Sequence, residues 1–230
     1  GWTQVSAGWH FTCGLDSDHT ATCWGYDSSG QCDPPDEEFV QVAAGWWHAC
    51  GVATDGRMLC WGYNDNGECD VPDGTFTQVD TRTSHVCGLE TDGGVVCWGD
   101  DSHGQCSAPA GEFTEVRTGS WHSCALGTDG GIACWGDDEN GQLDAPAGPY
   151  AQVAVGASHS CGRHQDGTIA CWGTNEQGQS DAPAGTFVQI AAGLPRPCAV
   201  EAPGAVERSG RAPSRPRTSP GHPHRQMPAL

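Results

Sequence analysis

The stretch Phe39 to Thr75, FVQVAAGWWHACGVATDGRMLCWGYNDNGECDVPDGT, contains the unit from which the chain is built. Its fixed core is Cys50, the Asp55-Gly56 turn, Cys60 and the Trp61-Gly62 pair. Cys13, Cys50, Cys87, Cys124, Cys161 and Cys198 each lie 37 residues after the one before. The tryptophans of the Trp-Gly pairs (Trp24, Trp61, Trp98, Trp135, Trp172) keep the same step. So do the aromatic residues that open each unit, Trp2, Phe39, Phe76, Phe113, Tyr150 and Phe187. A fixed period of this length marks a solenoid, propeller or array, in which each unit buries its apolar face against its neighbours.

The repeat array covers residues 1–193. Full units run 2–38, 39–75, 76–112, 113–149 and 150–186, and a sixth starts at 187. Residues 194–210 read as a degenerate sixth repeat, where Arg208 and Ser209 replace the expected Cys and Trp. Residues 211–230, rich in Pro and Arg with few apolar side chains, read as a disordered tail. Gly1 is not an initiator Met and the chain enters a repeat at Trp2, which points to a processed chain or a fragment.

Within each unit the opening segment alternates apolar and polar residues like a half-buried strand. It ends at Gly8, Gly45, Gly119, Gly156 or Gly193, a place taken by Arg82 in the third unit. Second and third strands flank the Thr-Asp-Gly turn. The Gly-Gln-Cys-Asp-x-Pro segment is read as a short fourth strand stopped by proline. A three-residue loop with glycine in the left-handed region sets Ala53 opposite Arg57. Counting back along the ladder then places Cys50 opposite Cys60, within disulfide reach. The same count pairs Cys13 with Cys23, Cys87 with Cys97, Cys124 with Cys134 and Cys161 with Cys171. Reduced thiols in the same places are the alternative. In the first unit the turn reads Ser17-Asp18-His19 and lacks the glycine. Cys32, Cys69, Cys106 and Cys198 have no partner from this count, and a buried small hydrophobe is the plain reading of the first three.

Ten identically spaced cysteines argue for an oxidising compartment, so a secreted or cell-surface protein is expected, although no signal peptide is visible. The chain has no lysine. Before residue 194 it carries four Arg against 27 Asp and Glu. That field disfavours nucleic acid and anionic membranes, and no apolar run is long enough to span a bilayer.

The run Gly119, His122, Cys124, Leu126, Asp129-Gly130, Cys134-Trp135-Gly136, Asp138, Gly141-Gln142 resembles the repeat of the regulator-of-chromosome-condensation family. It is most similar to a secreted bacterial branch that includes a propeller-type β-lactamase inhibitory protein. The resemblance implies an all-β fold, a β-propeller of 37-residue blades. It would be incomplete here, with five full blades and a degenerate sixth, because members of the family commonly have seven.

Two residues between the strand-ending glycine and the histidine slot vary while the frame around them stays constant. They read Trp9-His10, Trp46-Trp47, Thr83-Ser84, Ser120-Trp121 and Ala157-Ser158. Ser and Ala serve the fold equally well there, so aromatic residues at this place suggest a contact surface. The resemblance implies the same, because in the inhibitory protein this loop carries aromatic contacts to the target enzyme. Trp47 and Trp121, then Trp46, Trp9 and His10, are the candidate partner-binding residues. Filling between blades is the competing reading. His48, His85, His122 and His159 recur with the unit and are read as structural, bonding backbone at a strand start. No nucleophile–base set, zinc spacing or phosphate-cradling loop is present, so no catalytic residue, metal or cofactor is assigned. The acidic loops after Trp-Gly lack an EF-hand's ligand spacing. The expected function is a secreted, monomeric, non-enzymatic module that binds a protein through an aromatic, acidic loop face. The alternative is an adhesion or carbohydrate-binding array, with guanine-nucleotide exchange a distant third.

Overall fold

A computed structural model of the chain describes residues 1–193, together with the backbone of 197–201 and 206–208. The expected disordered tail at 211–230 lies outside the described residues. All regular structure described is β-strand, in six three-stranded antiparallel sheets that follow the repeat. First strands are Trp2–Ala7, Phe39–Ala44, Phe76–Thr81, Phe113–Thr118, Tyr150–Val155 and Phe187–Ala192. Second strands are Phe11–Asp16, His48–Ala53, His85–Glu90, His122–Gly127, His159–His164 and Pro197–Glu201. Third strands are Ala21–Gly25, Met58–Gly62, Val95–Gly99, Ile132–Gly136, Ile169–Gly173 and Val206–Arg208. Among the described residues no helix is long and apolar enough to cross a membrane.

The hairpin geometry follows the turn. Gly56 takes φ +86°, Ala53 N donates to Arg57 O at 2.8 Å, and Cys50 pairs with Cys60 in the ladder. All five expected pairs form disulfides: 13–23, 50–60, 87–97, 124–134 and 161–171. In the first unit His19 replaces the glycine and still adopts φ +63°, the one non-glycine with positive φ among the described residues. Its Nδ1 lies 2.9 Å from Phe39 O, so a contact with the next blade helps to hold a conformation that is unfavourable for a side chain. In the sixth sheet Arg208 stands opposite Cys198 in the ladder, at the place where the other units have their second hairpin cysteine.

The expected fourth strand does not form. Instead, the loop after each Trp-Gly is closed on itself by side chains. Asp27, Asn64, Asp101, Asp138 and Asn175 each accept the N–H five residues on, at 2.6–3.0 Å. Gln31, Glu68, Gln105, Gln142 and Gln179 each accept the N–H two residues back. Asn and Asp compete with ladder pairing in this way, and here the turn wins. Cys32, Cys69 and Cys106 are free and only half-buried, rather than core hydrophobes. Their thiols point at the carbonyls of Tyr26, Tyr63 and Asp100. Ser180 does the same to Thr174 O, so three of these units and the fifth share a short donor that ties down the loop. Burial and neighbouring carboxylates push the Cys69 and Cys106 thiols up to about 11 and about 12, which keeps them protonated.

The core lies between blades, not within them. Phe11, Cys13 and Leu15 of the first unit pack with Phe39, Val42 and Trp61 of the second, and the pattern continues along the chain. Each Trp-Gly indole also donates to the blade before it: Trp61 to Gln31 O, Trp98 to Glu68 O, Trp135 to Gln105 O and Trp172 to Gln142 O, at 2.8–3.1 Å. Trp24, the equivalent residue of the first unit, is 46% exposed. Close approach demands glycine at Gly88, where a Cβ would sit 2.6 Å from the Phe76 ring.

A β-bulge recurs early in every first strand, between Phe39 and Gln41 in the second unit, for example. One extra residue re-aims the side chain that follows. That side chain is a glutamine whose amide clamps the next blade at both ends. Gln4 bonds Val42 N and O, Gln41 bonds Val79, Gln78 bonds Val116 and Gln152 bonds Ile190, at 2.8–3.0 Å. The fourth blade has Glu115 instead, which accepts from Val153 N but has no N–H for Val153 O. Burial raises its pKa, against the pull of Arg117 at 2.8 Å. Glu115→Gln is therefore expected to raise stability by about 1 kcal/mol, the net worth of one hydrogen bond. Urea unfolding at neutral pH checks this; an unchanged or lower midpoint would show that the Arg117 pair outweighs the missing bond.

The array curves about an axis. Arg82, where most other units have glycine, extends across that axis and donates to Val155 O and Ala192 O, 73 and 110 residues ahead. It lines a cavity of about 240 Å³ together with Asp80, Arg117, Ala154 and Ala191.

Candidate partner-binding face

Two loops of each of the first five blades meet at the end opposite the hairpin turns. They are joined by one backbone bond: Tyr26 N to His10 O, Tyr63 N to Trp47 O, Asp100 N to Ser84 O, Asp137 N to Trp121 O and Thr174 N to Ser158 O, at 2.8–2.9 Å. Each blade thus presents one position from either loop side by side. The first two blades put aromatic side chains there. The third, fourth and fifth put Ser, Asp, Trp and Thr.

Trp9, His10, Trp46 and Trp47, four of the five candidates, come together. Trp9 stacks on His10 at 4.8 Å between centroids and lies 4.7 Å from Trp46 and 5.4 Å from Trp47. Tyr26 joins them, 5.5 Å from Trp47 and 6.3 Å from His10. Trp9 and Tyr26 are each half exposed. Pairs at these distances contribute beyond area burial, so the rings form a pre-packed aromatic surface. Trp121 stands apart from the cluster, against His103 at 5.0 Å.

Tyr26 is the residue that a repeat-based reading misses. Its signal is present all the same, because Tyr26 and Tyr63 follow Trp-Gly in the first two units where later units have Asp or Thr. Tyr63 continues the aromatic sector, and the Asp65 carboxylate beside it raises its pKa.

The repeated histidines have another role. All four are buried, and His48, His85 and His122 reach side chains of the following blade rather than backbone, which corrects the expected partner. His85 Nε2 lies 2.8 Å from Ser123 Oγ and His122 Nε2 lies 2.9 Å from Ser160 Oγ. The place equivalent to these serines is Val86 in the third blade, and His48 turns instead to Thr81 Oγ1 at 2.6 Å. In the sixth unit that place is Pro197, and His159 Nε2 has no partner among the described residues. Loss of solvation pushes His48 and His159 down to about 4, and His85 and His122 to about 3, so all four are neutral at physiological pH.

A model of the Regulator of chromosome condensation (RCC1) repeat matches residues 2–31, 39–68, 83–105, 113–142 and 150–179. Among solved structures, the chain is similar to the ectodomain of the receptor kinase CR4 from Physcomitrella patens. Identity is 25% and TM-score 0.79, over 92% of this chain and 64% of that one. It is also similar to the CRINKLY WD40 ectodomain of the receptor kinase ACR4 from Arabidopsis thaliana. Here identity is 28% and TM-score 0.74, over 91% and 79% of the two chains. Prp20p from Saccharomyces cerevisiae, described with its binding to Gsp1p and histones, shares the fold at 17% identity and TM-score 0.76, over 89% and 70%. The chain therefore spans less than two thirds of the moss ectodomain. No curated protein sequence matches it.

Proposed function

Because this chain belongs to the RCC1 repeat family, whose model matches five of its units, we propose that it is a secreted or cell-surface binding module without catalytic activity, and that it engages a protein partner through the loop face of its first two blades. The observation that carries this reading is the ring cluster in which exposed Trp9, His10 and Tyr26 pack on half-buried Trp46 and Trp47. The fold does not require it, because the third and fifth blades build the same loops with Thr, Ser and Ala. Tryptophan and tyrosine dominate interface energetics when desolvated. Five disulfide-bonded hairpins support an extracellular setting. A narrower version is an inhibitor-like scaffold of the kind the bacterial β-lactamase inhibitory propeller represents.

The test is a pair of variants, Trp9→Ser with Trp46→Ser on one chain and Trp121→Ser on another. They are compared with the parent for retention of proteins from the secreted fraction of the source culture and for inhibition of a β-lactamase panel. The double variant is expected to weaken a retained partner by at least 100-fold, at about 2 kcal/mol or more per hot-spot ring. A partner held equally by both variants would remove the aromatic sector from the interface. The receptor-kinase ectodomains among the similar structures favour cell-surface adhesion as a second reading. Saturable binding to purified polysaccharide, lost in the same double variant, would replace the first reading with that one.

A further inference from the structure

We infer that the aromatic sector of the first two blades receives an arginine-bearing segment of the partner protein. This rests on the reading of the loop face as a protein-binding surface, and it follows from where the four arginines of residues 1–193 lie.

Residues 1–193 contain no lysine and only four arginines. Arg57 lies at the hairpin end of its blade, paired with Asp55 at 2.6 Å and Glu37 at 3.4 Å. Arg117 faces the axis and pairs with Glu115. Arg82 turns into the axis toward Val155 O and Ala192 O. Arg163 is on a second strand and reaches His164 O. None of the four guanidinium groups meets the loop-face aromatics.

The carboxylates of that face have only neutral hydrogen-bond donors. Asp27 accepts from Cys32 N, Asp101 from Cys106 N and Asp138 from Leu143 N. Asp100 and Asp137 accept from Ser102, Glu139 N and the amides of Gln105 and Gln142. These bonds shape the loops and leave the negative charge uncompensated. Among the described residues, the aromatic sector is therefore bordered by Asp27 and Asp65 and meets no arginine.

A ring face is a site of negative potential, and a cation placed over it gains more as water is excluded. Guanidinium suits such a site better than ammonium. It is planar, weakly hydrated, able to stack on an indole, and can present its remaining N–H groups to a carboxylate. Trp9 supplies a half-exposed indole, with Asp27 directly after Tyr26 and Asp65 at the Tyr63 hydroxyl as acceptors at the border.

The experiment is selection of a random 12-residue peptide library on the intact, oxidised chain, in parallel with a Trp9→Ser, Trp46→Ser variant that keeps every charge. Enrichment of arginine-containing peptides on the parent, lost on the variant, is the expected result. A synthetic copy of the strongest peptide should bind at least 10-fold more weakly when its arginines are replaced by citrulline, and several-fold more weakly with lysine. Peptides that are neutral or acidic, yet still depend on the two tryptophans, would overturn the arginine inference and leave the face as a protein-binding surface. Peptides that bind parent and variant equally, or the absence of any enrichment, would overturn both. The variant's fold is checked by its five intact disulfides and its urea midpoint.

Discussion

Reducing the five hairpin disulfides is expected to unfold the array at room temperature. Each closes a loop with a separation of 10 residues, and closing a loop of that size removes about 3 kcal/mol of unfolded-state entropy. Five together amount to roughly 14 kcal/mol, comparable with the whole stability of a typical domain. The blades have little in reserve, since each sheet has three strands and buries its core only against a neighbour. Circular dichroism and tryptophan fluorescence in the presence of a reductant, alongside intact mass after alkylation, make the test. Ten protected cysteines before reduction and a collapsed melting transition after it are expected. A chain that keeps its urea midpoint when fully reduced would refute the estimate and weaken the extracellular assignment.

Mild acid is expected to have nearly as large an effect. The four buried histidines are held below their unfolded value of about 6.5, at about 3 to about 4. In that window the unfolded chain binds protons that the folded chain refuses. Their contribution is therefore fully present above pH 6.5 and is lost as the pH falls toward 4. Each histidine contributes a slope of up to about 1.4 kcal/mol per pH unit, so four acting together give roughly 5 kcal/mol per unit. Urea midpoints measured between pH 7 and 5, above most carboxylate titration, should drop steeply. His122→Gln should flatten the slope by about a quarter. A flat profile over that range would mean that the imidazoles are charged or solvated in the folded state.

Much of this architecture was legible in the sequence, because the period and the Thr-Asp-Gly turn are local facts. A turn of known length fixes the register of its hairpin, and register alone brought Cys50 to Cys60. What lay beyond the sequence were decisions between blades. Whether Gly-Gln-Cys-Asp forms a strand depends on competition between ladder bonds and the side-chain bonds of Asp27 or Gln31, and composition does not weigh these. The histidine partners sit one blade away, and Val86 changes the partner of His48. Trp9, Trp46 and Trp47 could be singled out as variable residues in a constant frame. Their meeting with Tyr26, and the separation of Trp121, follow from how neighbouring loops abut. Arg82 was visible as an exception to glycine, but its destination in the fifth and sixth blades was not.

That destination changes how such a chain should fail. An array in which every unit touches only the next behaves like a row of dominoes, and damage spreads one step at a time. Arg82 adds a link across 110 positions of sequence, joining the third blade directly to the sixth. Fraying that starts at the sixth blade would remove an acceptor from Arg82 and leave a nearly enclosed cation short of a partner in the middle of the molecule. Blades three to six are thereby coupled into one cooperative block, and the first two blades, which carry the aromatic sector, are joined to that block by neighbour contacts alone, such as the Gln41 clamp on Val79 and the Trp98 bond to Glu68 O.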